Sequence, residues 1–161
     1  TILFLMINTL ETLLTYENIY LFANWGVVPF WLLLIFMPNH NITKFFSHSI
    51  LAPLLLATAY IFVVRHIILE ENIFEGFKLY LGLDGLKEIY SNESLLLVFW
   101  LHFLAISLFV GAWIARDSER YLVPKVLSAP CILITYFTGP FGILIYWFVR
   151  IFYAKKINFN E

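Results

Sequence analysis

The chain has 161 residues, of which 61% are hydrophobic and only 13% charged, and its mean hydropathy is +0.84. Soluble domains carry about a quarter charged residues, so this balance excludes an ordinary soluble globule and points to the membrane class. A net charge of −1 offers no basic field for nucleic acid, and the single cysteine, Cys131, excludes an internal disulfide.

Residues 1–10 are apolar but end at Glu11, too short to cross a bilayer, and they lack the basic start and cleavage site of a secretory signal. Residues 1–16 therefore read as an interfacial segment. Runs of about 20 apolar residues then mark transmembrane helices. Four are expected, over Ile19–Met37, Phe45–Leu69, Leu95–Ala115 and Ala129–Val149. Pro38-Asn39-His40-Asn41 breaks the chain after the first, with Thr43 as the expected N-cap of the second. Pro124 and Pro130 bracket the start of the fourth.

Between the second and third spans, residues 70–93 carry Ile73, Phe74, Phe77, Tyr80 and Leu81 at helical spacing, with Glu71, Glu75 and Lys78 off that stripe. This predicts a short amphipathic helix on the bilayer surface, followed by a turn at Gly82–Gly85 and a second short helix. The expected fold is one all-α transmembrane domain over 1–161: a four-transmembrane-helix bundle with an amphipathic helical insertion between helices 2 and 3. Four crossings would put both termini and the insertion on one face. That face holds Arg65, Lys78, Lys87, Arg150, Lys155 and Lys156, against Lys44, Arg116, Arg120 and Lys125 on the other, a weak preference for termini inside.

Polar groups inside spans are the candidate functional residues, because lipid offers them no partner. His102 lies about two turns into the third span, and 3.6 residues per turn puts Ile106, Phe109 and Trp113 on its face. Ser107, Gly111 and Ala115 form a separate small-residue seam for a neighbouring helix. His102 is either a site residue or a histidine bonded to a neighbour and otherwise idle. The charges Arg116, Asp117, Glu119 and Arg120 read more readily as a solvated helix end than as a lipid headgroup site. Asp117 is about 22 Å along the helix from His102 and is no partner for it.

Pro29, Pro53 and Pro140 each remove an i→i−4 bond, freeing the carbonyls of Trp25, Ser49 and Tyr136. The fourth span is the most disrupted, with Gly139-Pro140 and Gly142 beside Thr135, Tyr136 and Thr138. Asn24 adds a polar group to the first. The sequence has no histidine cluster for a di-iron centre, no P-loop and no GxGxxG, HExxH or GxSxG motif, so neither metal nor cofactor is expected. Axial haem ligation by His66 and His102 is a weaker alternative.

Three stretches, Asn24–Lys44, Trp100–Pro124 and Pro130–Arg150, together resemble the abscisic-acid-deficient-4-like family of integral membrane proteins. The resemblance rests on Asn24, Pro29, Trp31, Pro38, Thr43, Trp100, His102, Leu104, Leu108, Phe109, Pro130, Cys131, Gly139, Pro140 and Gly142. Plant members are associated with neoxanthin synthesis, which implies a multi-pass protein of a bacterial inner membrane or plastid membrane. The implied partners are a carotenoid or other isoprenoid lipid, bulk membrane lipids, and a homo-oligomer or membrane enzyme complex. Converting an epoxy-carotenoid to an allene needs an acid and a base but no redox cofactor. The resemblance then implies His102 as the catalytic group. Asn24, Tyr136 and Thr138 would bond the ring oxygens, and Trp31, Phe109 and Trp113 would lie along the polyene. Ser107 stands where the family pattern has Asp, so it is expected at the site as a contact rather than an acid. A non-catalytic protein that binds carotenoid or assembles an enzyme complex is the alternative.

Overall fold

A computed structural model describes residues 14–46, 51–70 and 73–155, and the regular structure among them is entirely helical. The expected interfacial segment over 1–16 lies almost wholly outside the described residues, as does the start of the second span at 47–50. We number the helices α1 (Tyr16–Gly26), α2 (Val28–Phe36), α3 (Asn41–Phe46), α4 (Leu51–Glu70), α5 (Leu83–Tyr90), α6 (Glu93–Arg120), α7 (Lys125–Thr138) and α8 (Pro140–Ala154), with a 3₁₀ helix at Ile73–Tyr80. Among the described residues, three stretches are long and apolar enough to cross a membrane: Tyr16–Phe36, Leu51–Leu69 and Glu93–Arg120.

The first stretch contains α1 and α2, broken at Val27, and Pro29 sits in the opening turn of α2, where a missing N–H costs nothing. Its helix resumes at once, with the Trp31 amide donating to the Val27 carbonyl at 3.1 Å. Pro53 stands in the first described turn of α4, and Ser49, whose carbonyl it would free, lies outside the described residues. Thr43 does not cap the second span. It is fully buried within α3, and its hydroxyl donates back to the Met37 carbonyl at 2.6 Å, holding the turn after α2 closed. Asn92 does act as a cap: its Oδ1 accepts from the Ser94 and Leu95 amides at 3.0 and 3.2 Å, satisfying two free donors at the start of α6.

The described residues form two compact units, 14–26 with 56–102 and 27–55 with 103–155. In the first, Ile19, Ala23, Leu56, Val63, Ile67, Ile89, Leu97 and Leu101 make the core. The stripe expected on an α-helix at 73–81 is carried by a 3₁₀ helix instead. Three residues per turn stack Phe74, Phe77 and Tyr80 on one line, and all three are exposed.

In the second unit the chain departs from the expected fourth span. Residues 129–149 are not one helix: α7 ends at Thr138, Gly139 takes φ +60°, and α8 begins at Pro140. The positive φ suits glycine and few other residues, and proline is well placed to start the next helix. The two helices fold back on each other, because a Cβ on Gly142 would collide with the backbone of Thr135. At 14 and 15 residues, they are each about 21–22 Å long, short of the ~30 Å hydrocarbon layer. The hairpin tip packs beside α6: a Cβ on Gly139 would stand 3.3 Å from Ser107 Oγ and 3.4 Å from the Phe103 ring. Its open end bonds to Asp117, near the close of α6. Ten residues of α6 separate Asp117 from Ser107, so the hairpin reaches about 15 Å along that helix.

Candidate functional site

The helix α6 has two contrasting sides. Its small-residue seam is filled: Ser107, Gly111 and Ala115 are all buried. Gly111 makes room for Trp31, whose ring would lie 2.5 Å from any Cβ added there. Trp31 is 3% exposed and its ring centroid is 5.2 Å from that of Tyr136, so these two expected contacts do meet. Its indole Nε1 has no hydrogen-bond partner among the described residues.

The opposite side faces out. His102 is exposed, Ile106 and Phe109 are 51% and 47% exposed, and Trp113 is half-buried. His102 belongs to the first unit, where its ring centroid is 6.3 Å from that of Tyr60 on α4. Tyr60 was not legible as a site residue, because only the packing of α4 against α6 reveals it. It brings a phenol ring near the His102 imidazole. His66 is engaged otherwise, its Nδ1 sharing a 2.8 Å hydrogen bond with the Tyr16 hydroxyl.

Asn24 is half-buried on α1 in the first unit, and Tyr136 and Thr138 belong to the second. Thr138 is exposed and its hydroxyl donates to the Ile134 carbonyl at 2.8 Å, a bond internal to its own helix. Trp113 stands edge-on to Tyr146, centroids 5.8 Å apart.

That edge contact leads to a constellation the sequence reading missed. Asp117, expected as part of a solvated helix end, is 8% exposed, and Arg150 is wholly buried. One oxygen, Asp117 Oδ2, accepts from both Arg150 Nε and the Tyr146 hydroxyl, each at 2.7 Å. The Arg150 guanidinium also lies 4.6 Å from the Tyr121 ring centroid. Burial of a charged pair is tolerated when both ions are bonded and closely matched, and here a tyrosine adds a second donor. Around it the expected solvated character does hold: Glu119 pairs with Lys44 at 2.8 Å in the open, and Arg120 is exposed. A signal for the network existed in the sequence. Tyr146 and Arg150 are four residues apart on one helical face at the end of an apolar run. Linking them to Asp117 required knowing that the chain turns back at Gly139.

Residues 18–146 match the family described as ABA DEFICIENT 4-like. The chain belongs to this family. No curated protein and no solved structure matches it significantly. The stretch matched to the ABA DEFICIENT 4-like family takes in Tyr60, His102 and Asp117 and stops at Tyr146, so Arg150, which completes the buried network, lies just beyond it. Family membership and three apolar helices of spanning length make this an ABA DEFICIENT 4-like membrane protein.

Proposed function

We propose that the protein acts inside a membrane on a carotenoid or another long isoprenoid, by acid–base isomerisation of an epoxide. Family membership supports this substrate class. The observation that carries the chemistry is the pairing of His102 with Tyr60 on the exposed side of a spanning helix. A hydrophobic substrate dissolved in the bilayer reaches that side without entering the protein core.

The reaction needs no oxidant. The epoxide C–O bond breaks, its oxygen takes a proton and becomes a hydroxyl, and a proton leaves the adjoining polyene carbon to form the allene. In this reading His102 accepts the carbon-bound proton and Tyr60 donates to the oxygen, after which proton exchange between the two restores both. The test is pigment chromatography of an epoxy-carotenoid-producing host carrying the wild type, His102→Ala or Tyr60→Phe, with membrane levels of each matched by immunoblot. Conversion should disappear with His102→Ala and fall at least tenfold with Tyr60→Phe. Unchanged conversion by His102→Ala would refute the reading. Ser107 favours a second reading, a carotenoid-binding or complex-assembling protein without turnover. It stands at the family's acidic position and is buried against Gly139. Pigment that co-purifies unconverted would select it.

The membrane arrangement that goes with this reading is three crossings and a re-entrant hairpin, α7–α8, that enters and leaves on one side. Phe74, Phe77, Tyr80 and Leu81 would rest on the bilayer surface at the other side. The hairpin reverses the weak orientation inferred from four spans. Arg150 and Lys155 now join Lys44, Arg116, Arg120 and Lys125, leaving Arg65, Lys78 and Lys87 opposite. The richer side is cytoplasmic by the positive-inside rule. In a bacterial inner membrane, a fluorescent protein fused after the C-terminus should then light up, and alkaline phosphatase inserted at Gly82 should be active. The reverse pattern, or both reporters reading the same side, would refute this topology.

A further inference from the structure

We propose that the groove between α1 and the start of α6 binds an organic ammonium ion. The groove lies within the first unit, encloses about 490 Å³, and is lined by Tyr16, Glu17, Tyr20, Glu93, Leu96, Leu97 and Trp100. That volume is in the range of small-molecule sites. Three aromatic rings and two leucines form its walls, two carboxylates complete it, and no lysine, arginine or histidine among the described residues lines it.

The chemistry of this lining selects the ligand. Two exposed carboxylates repel a phosphate or carboxylate, and a purely apolar guest would leave both without use. A cation carrying methyl or methylene groups satisfies every wall at once. Its charge is attracted by Glu17 and Glu93 and by the faces of Tyr and Trp, while its carbons lie against Leu96 and Leu97. One wall is held by a residue outside the groove, and two others hold each other. The Tyr16 hydroxyl bonds His66 Nδ1 at 2.8 Å, and Tyr20 and Trp100 brace each other, centroids 6.2 Å apart at 42°. Glu17 and Glu93 lie in the first turns of their helices.

The groove is separate from the proposed reaction site. Glu93, Leu97 and Trp100 share one side of α6, whereas His102, two residues past Trp100, points about 200° away. A ligand in the groove is therefore not the isomerisation substrate, and the inference stands without that reading. The ammonium group has two sources, a lipid headgroup such as choline or a free amine, since the lining residues lie at the opening ends of two spanning stretches.

The experiment titrates choline into the purified full chain and reads tryptophan fluorescence. Its neutral isostere 3,3-dimethylbutan-1-ol serves as the comparison, since only the charge differs. Choline should give a saturable change that Trp100→Phe abolishes, the isostere should need at least tenfold more, and Glu17→Gln/Glu93→Gln should weaken choline at least tenfold without shifting the melting temperature. Equal binding of the isostere, no saturable response, or a choline response that survives the double substitution would overturn the proposal and leave the aromatics as ordinary interfacial anchors. Repeating the titration in nanodiscs distinguishes the sources. Competition by phosphatidylcholine but not phosphatidylglycerol assigns a headgroup, and binding that is equal in both assigns a free amine.

Discussion

The carboxylates near the two ends of α6 are held in opposite ways. Glu93 opens the helix beside Glu17, exposed and facing a groove. Asp117, three residues before the helix closes, is buried and accepts from both Tyr146 and Arg150. The same chemical group is available to a ligand in one place and consumed by the fold in the other. The difference lies in what each unit packs against it. At Asp117 the returning hairpin excludes water and supplies two donors, whereas Glu93 has an open groove.

This contrast fixes the order of mutational effects on stability, read as thermal or denaturant unfolding in detergent. Asp117→Ala leaves the wholly buried Arg150 guanidinium without its counter-charge and should cost about 3–5 kcal/mol. Replacing both partners, Asp117→Leu with Arg150→Leu, should recover most of that loss, and failure to recover it would show that the pair does more than neutralise itself. Tyr146→Phe removes one charge-assisted bond and keeps the ion pair, so about 1.5–3 kcal/mol is expected. Gly142→Ala forces apart α7 and α8 at Thr135 and should cost roughly 1–3 kcal/mol, with a loss near zero contradicting the fold-back itself. Glu17→Gln, Glu93→Gln and Lys44→Ala touch only exposed groups and should each stay within about 1 kcal/mol.

What the sequence made legible follows the range of the interactions involved. Apolar runs betray spans because bilayer thickness imposes their length, and three such stretches are found. The two sides of α6 were readable for the same local reason, since helical periodicity separates His102, Ile106 and Phe109 from Ser107, Gly111 and Ala115. Gly139-Pro140 announced a break but not its angle. A kink and a reversal share that dipeptide, and only the close approach of Gly142 to Thr135 decides between them. From that one undecided angle came the missed network, because Arg150 meets Asp117 across 33 residues of chain. Tyr60 was hidden for a related reason: a single tyrosine on an apolar helix carries no mark of which neighbour it will face. Thr43 misled through residue type. A threonine after a proline-containing turn suits a cap, but here the side chain turned back to Met37.

The hairpin also has a consequence for biosynthesis. Asp117 leaves the ribosome before Arg150, and neither α7 nor α8 is long enough to be threaded across the bilayer alone. The Asp117 carboxylate must therefore stay hydrated until both short helices have been made and Arg150 can reach it. A chain stopped before residue 150 would lack the guanidinium that is buried with this acid.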